Sequence, residues 1–230
     1  MNNRIGFYSS VLLAVITVIT FGFAMIAVPI SGANAPNGGV NYPYLDTFQQ
    51  YPKDFLWMYF AIFLLLIYLV VMISIHMREK NERRIMSTVG LCFAVMAALL
   101  LIVTYYIQLN VVPVSLQHNE TEGLALIIQY NPHGIFIALE EIGYIMMTLS
   151  FVFIAFSFHQ KTRLETAIRW IFMIPFPVSM ISLILYSIQY GLNRQDRFEV
   201  VILSFAWLTL IINGILLSKY FHKQRGITHP

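Results

Sequence analysis

The chain has 230 residues, of which 58% are apolar and only 11% charged, with a net charge of +3 and a mean hydropathy of +0.71. An average soluble domain carries about 25% charged residues, so a soluble globular domain and a disordered chain are both excluded. The small positive charge is spread over short loops, which excludes nucleic-acid binding as the main role. The composition predicts an all-α, polytopic membrane protein, a single transmembrane domain over 1–230 with little mass outside the bilayer.

A helix that crosses a bilayer needs about 20 consecutive apolar residues. Six stretches meet that length: 6–30, 55–75, 86–109, 134–158, 164–189 and 196–218. The first has the outline of a signal peptide, with Arg4 ahead of an apolar run and Ala33-Asn34-Ala35 behind it. Its apolar run is longer than the roughly 7–15 residues of a signal sequence, and Pro36 follows the would-be cleavage bond, so it reads as a retained helix. The second span is the cleanest, without a charge along its length. The third carries Gly90, Ala94 and Ala98 at small-xxx-small spacing, as the fourth carries Gly134 and Ala138, and both faces predict close helix packing. Pro175 and Pro177 fall near the middle of the fifth span and predict a kink there, since each leaves a carbonyl unpaired. The single cysteine, Cys92, lies inside the third span and reads as a packing residue.

The basic residues sort the loops into two classes. Arg4, Arg78, Lys80, Arg83, Arg84, Lys161, Arg163, Arg169, Lys219, Lys223 and Arg225 fall on the side that holds both termini; only Lys53, Arg194 and Arg197 fall on the other. Positive charge stays cytoplasmic. Both termini are therefore expected in the cytoplasm, in a plasma (inner) membrane.

The two long loops lie on the opposite, outer side. In the first, over 31–53, Tyr42, Tyr44, Phe48 and Tyr51 predict either an interfacial aromatic collar or a lid over a ligand site. In the second, over 110–133, a short interfacial or re-entrant helix is expected at 121–130, capped by Asn119 with Glu122 three residues on and ended by Asn131-Pro132.

Ionisable groups inside a membrane are costly and are candidates for function. Glu140 and Glu141 enter the fourth span, about 10 Å deep at ~1.5 Å per residue. As neighbours they point about 100° apart and do not form one paired site. Glu141 shares a face with Ala138, Tyr144 and Thr148, and this small, polar stripe makes it the expected inward group; Glu140 lies with Ile137, Tyr144 and Met147. Glu199 and Arg197 open the sixth span, Tyr106, Gln108 and Asn110 close the third with Tyr105 beside them, Gln189 closes the fifth, and Asp54 opens the second. These ends predict a polar, aromatic-lined pocket open to the outside, or else a solvated rim. Trp207 and Asn213 lie within the sixth span, where packing and a helix–helix hydrogen bond explain them. The histidines lie too far from the acids to share a metal, and no haem, phosphate-loop or hydrolase pattern is present, so no metal and no cofactor is expected.

The stretches Tyr42-Pro43-Tyr44-Leu45-Asp46, Lys53-Asp54-Phe55-Leu56-Trp57-Met58-Tyr59, Asn131-Pro132-His133-Gly134 and Glu140-Glu141-Ile142-Gly143-Tyr144 resemble segments of uncharacterised bacterial six-helix membrane proteins. That resemblance implies a bacterial inner-membrane setting and no activity. The leading expectation is a site that binds a small amphiphile, lipid or cation, in a sensor or accessory transport subunit. The alternatives are a membrane-embedded acid–base enzyme, with Glu141 exchanging the proton and Tyr144 or Glu199 assisting, and a structural subunit of a complex. Membrane lipids are the expected partners, with a homo-oligomer compatible with the chain.

Overall fold

A computed structural model describes residues 2–27, 40–80, 82–194 and 197–225. The described residues form helices and turns with no strand. The α-helices are α1 (Asn2–Ile26), α2 (Leu56–His76), α3 (Glu82–Asn110), α4 (Val112–Gln117), α5 (Leu124–Ile127), α6 (Ile135–Ala155), α7 (Arg163–Met173), α8 (Pro175–Tyr190) and α9 (Arg197–Arg225). Six helical segments are long and apolar enough to cross a membrane: Asn3–Ile26, Lys53–His76, Arg83–Gln117, Ile135–Ala155, Arg163–Asn193 and Arg197–Gln224. The expected spans therefore stand to within a few residues, except that α9 runs on to Arg225. The possible cleavage motif at Ala33-Asn34-Ala35 lies outside the described residues, as do residues 28–30 and Asp196.

The helices close into a ring. α1 packs on α2, α2 on α3, α3 on α6, α6 on α7 and α8, and α9 returns to α1 while touching α6, α7 and α8. In a bilayer, lipid tails are as apolar as leucine, so close packing rather than water exclusion selects these pairs. The small stripe of α3 does this as expected: Ala94 and Ala98 are buried, and a Cβ at Gly90 would meet Ile154 of α6 at 2.9 Å. The stripe predicted for the fourth span is not a packing face. Ala138 is exposed, and Gly134 sits one residue before α6, against the carbonyls of Leu126 and Asn131. The outer surface carries large apolar residues such as Phe63, Leu66, Leu99, Ile184 and Ile188, as a lipid-facing belt requires.

Two breaks shape the bundle. Pro175 begins α8 directly after Ile174, so the fifth span is two helices, α7 and α8. Pro113 likewise opens α4 just beyond the end of α3.

The expected helix over 121–130 shrinks to the single turn of α5. Gly123, at φ +73°, stops it at the start, and extended Ile128 stops it at the end. Asn119 does not cap it. It adopts a left-handed φ of +58° and terminates α4, with Asn119 N–H donating to Leu116 O and Glu120 N–H donating to Ser115 O. These two bonds form a Schellman stop, a role Asn fills as readily as it fills an N-cap.

The two long loops fold together over one end of the bundle. Val40, Tyr44, Val112, Leu124, Ile128 and Tyr130 make a small second core there. Tyr44 is buried in it, whereas Tyr42, Phe48 and Tyr51 remain exposed, so the loop covers this end of the bundle as a lid with an exposed aromatic face.

Candidate functional site

Beneath this lid, three helices bring polar side chains together. α6 contributes Glu140 and Tyr144, α3 contributes Tyr105, and α9 contributes Trp207 and Glu199. The Tyr105 hydroxyl donates to Glu140 Oε1 at 2.5 Å. Trp207 Nε1–H donates to the Tyr144 hydroxyl at 2.9 Å, and the two tyrosine oxygens are 3.1 Å apart. Tyr105 has one proton, already given to Glu140, so Tyr144 donates to Tyr105. The result is a directed relay, Trp207 to Tyr144 to Tyr105 to Glu140, in which each bond polarises the next. Trp57 of α2 seals the side, edge-on to Tyr105 at 5.1 Å and to Trp207 at 6.1 Å.

Glu140 is 1% exposed, and its Oε2 receives no N–H or O–H donor among the described residues. The Glu199 carboxyl is a neighbour of the Glu140 carboxyl. Two ionised carboxylates have no proton between them to make a hydrogen bond, so one forms when one of the two is protonated.

Glu141 faces another way. Its Oε2 accepts from Arg194 Nη2 at 2.8 Å, with the two side chains 11% and 24% exposed. The Arg194 guanidinium also lies over the Phe198 ring at 5.2 Å. The expected order is thus reversed: Glu140, not Glu141, is the group in the bundle centre. Ile137, Glu140, Tyr144, Met147 and Phe151 form one buried stripe of α6, and Glu141 and Thr148 are buried beside it.

A second acid–tyrosine pair sits under the lid. Buried Asp54 accepts from the Tyr130 hydroxyl at 2.7 Å. Tyr130 lies outside the spans, and its hydroxyl is held well above the usual tyrosine range, first by burial and then by Asp54. Gln108, one turn beyond Tyr105 on α3, ties the loop to the bundle. Its amide donates to Ile127 O, and its Oε1 accepts from Gln129 N–H at 3.0 Å.

The remaining expected site residues do not join the cluster. Tyr106 is 58% exposed, because the residue after Tyr105 is turned about 100° around the helix. Asn110 is exposed and donates to its own helix at Tyr106 O, and Gln189 is exposed on α8. Arg197 lies over the Tyr190 ring at 4.6 Å and donates to the carbonyls of Asn193 and Arg194. Glu140, Tyr105, Tyr144 and Trp207 are buried, whereas the Glu141 and Arg194 side chains reach the surface in part.

Tyr105, expected only as a neighbour of Tyr106 and Gln108, and Trp207, expected only to pack, are members of the cluster. The signal for Tyr105 lies in the sequence: it continues the Ala94, Ala98, Leu101 face to Gln108 at helical spacing, and all five are buried. Trp207 carries no comparable signal. Asn213 behaves as expected, donating to Ile168 O at 3.4 Å across to α7. In comparisons with known proteins, no protein-family model, no curated protein and no solved structure matches the chain.

Proposed function

We propose that this protein binds a single positive charge, in the first instance a proton, between Glu140 and Glu199, as a membrane-embedded sensor or accessory transport subunit. The observation that carries the reading is the fully buried Glu140, with one oxygen supplied by the relay and a second carboxyl, that of Glu199, as its neighbour. An ionisable group in a bilayer is expensive, and this one sits where an apolar residue would pack without cost. A proton needs no cavity, which fits the sealed geometry. Below Tyr144, the buried Met147, Phe151, Phe172 and Leu210 separate the relay from the far end of the bundle. That block favours sensing or coupling over conduction through this chain. It also disfavours the enzyme reading, since no lipid-sized substrate reaches Glu140.

We place the loop-covered end outside and both termini in the cytoplasm of a bacterial inner membrane. Eleven of the 14 Lys and Arg residues support that orientation. The charge then enters from the extracytoplasmic side past Arg194 and Glu141.

The test is thermal unfolding of the detergent-solubilised protein from acid to alkaline conditions. A shared proton holds the two carboxyls together, and its loss leaves like charges in contact. Wild-type stability is expected to fall as the pH rises through that loss, and Glu199→Gln, whose amide supplies a permanent donor to Glu140, is expected to flatten the fall. Parallel profiles for wild type, Glu140→Gln and Glu199→Gln would sink the proposal. So would native mass spectra in which wild type retains a bulky small molecule that Glu140→Gln loses, since the occupant would then not be a lone charge.

A further inference from the structure

At the opposite end of the bundle, a groove of about 500 Å³ lies between the turn at 160–162 and the first two turns of α7. Its mouth is formed by Lys161 and Arg163, and its floor by Thr166, Ala167 and Trp170. The fold does not use the two cations. Among the described residues neither makes an ion pair, and both are exposed. The turn is held instead by other groups. Thr162 Oγ1 accepts from Glu165 N–H, and Glu165 Oε2 accepts from Lys161 N–H at 2.9 Å, which satisfies the start of α7 and occupies the Glu165 carboxylate. Arg169 faces away from the groove, lying over the Phe156 ring at 5.3 Å and donating to Phe158 O.

Ala167 and Trp170 give the groove an apolar side next to the polar Gln160, Thr162 and Thr166, and its position fits a bilayer boundary. α6 ends at Ala155 and the next span begins at Arg163, so the mouth lies at the end of two spans. Trp170 is seven residues further along α7, about 10 Å deeper at ~1.5 Å per residue. It is 55% exposed, at the level where amphipathic rings meet acyl chains. The surroundings are positive. His159, in the same turn, is held below the usual histidine range, first by burial and then by Arg83 and Lys161.

A charged mouth over an apolar, aromatic floor is complementary to one class of ligand. We infer that this groove is a site for an anionic phospholipid, its phosphate headgroup between Lys161 and Arg163 and one acyl chain along Ala167 and Trp170. The inference is independent of the acid pair at the other end.

The experiment is native mass spectrometry of the solubilised protein titrated with short-chain phosphatidylglycerol, phosphatidylcholine or inorganic phosphate. One basic residue near an anionic headgroup is worth about fivefold in binding. The double variant Lys161→Gln/Arg163→Gln is therefore expected to lower phosphatidylglycerol affinity about twentyfold. The equally exposed pair Lys219→Gln/Lys223→Gln is expected to leave it unchanged, and Trp170→Ala to weaken it with the cations intact. Equal affinity for phosphatidylcholine would overturn the site, as would equal loss in the two double variants, which would mean diffuse attraction to the basic end. Full competition by inorganic phosphate, with no effect of Trp170→Ala, would reduce it to an anion contact and overturn the lipid assignment.

Discussion

Glu141 and Arg194 are unequal partners, and that inequality has a measurable consequence. Arg194 keeps a quarter of its side chain exposed, so Glu141→Ala leaves a guanidinium that can turn towards water. That loss is expected to be about 1 kcal/mol. Each partner leaves one buried polar atom unpaired, but Arg194→Ala strands the less exposed of the two, a carboxylate with 11% of its side chain accessible. Removing the partner of such a charge is expected to cost more, about 2–4 kcal/mol. Thermal unfolding of the two variants in one detergent checks the order. Equal losses would mean that the pair contributes only through packing. This residue pair also marks how far sequence reasoning reaches. That two adjacent acids in a span point apart follows from helix geometry alone. Which of them faces inward does not, because hydropathy is similar on the lipid and protein sides of a transmembrane helix. On the small, polar face Glu141 and Thr148 are buried but Ala138 is exposed, whereas Ile137, Glu140 and Met147 on the bulkier face are all buried. Tyr105 and Tyr106 present the same ambiguity, and there the small-residue stripe of α3 already pointed to Tyr105.

At the scale of elements, the glycines on helix faces set how closely neighbours approach. A Cβ at Gly214 of α9 would meet Ala14 N at 3.0 Å and Ser10 O at 3.0 Å, both backbone atoms of α1. A Cβ at Gly90 of α3 would meet Ile154 N at 3.1 Å. Backbone does not swing aside as a side chain does, so Gly214→Ala and Gly90→Ala are each expected to destabilise by about 1–3 kcal/mol. Gly22 of α1 meets nothing within 4 Å, so Gly22→Ala is expected to be neutral or to stabilise by up to about 1 kcal/mol through helix propensity. Unfolding midpoints of the three variants separate close approach from propensity; a loss at Gly22 equal to that at Gly214 would refute the distinction. The long helices were legible because their apolar runs exceed what anything but a span requires, and the break at Pro175 because proline removes the donor. The short elements were not. Asn119 suits the end of one helix and the start of another, and its own left-handed φ, with the two bonds that close α4, decides between them.

At the scale of the whole molecule, the two ends of the bundle are chemically opposite. One end holds the folded loops, both acid–tyrosine pairs and the Glu141–Arg194 ion pair; the other holds the exposed cations and the lipid-shaped groove. The assignment of the first end to the outside rests on charge asymmetry, and it can be tested without knowing any ligand. Cys92 is the single cysteine and is exposed on α3, so Cys92→Ala gives a clean background. Phe48→Cys then reports the loop end, where Phe48 is half-exposed, and Lys80→Cys reports the turn between α2 and α3. A membrane-impermeant maleimide applied to intact cells is expected to label the first and to reach the second only after lysis. The opposite pattern would turn the bundle over. Glu140 and Glu199 would then face the cytoplasm, and entry of a charge from the extracytoplasmic side would fail. The groove would lie in the other leaflet with its chemistry unchanged, because its case rests on local geometry and not on orientation.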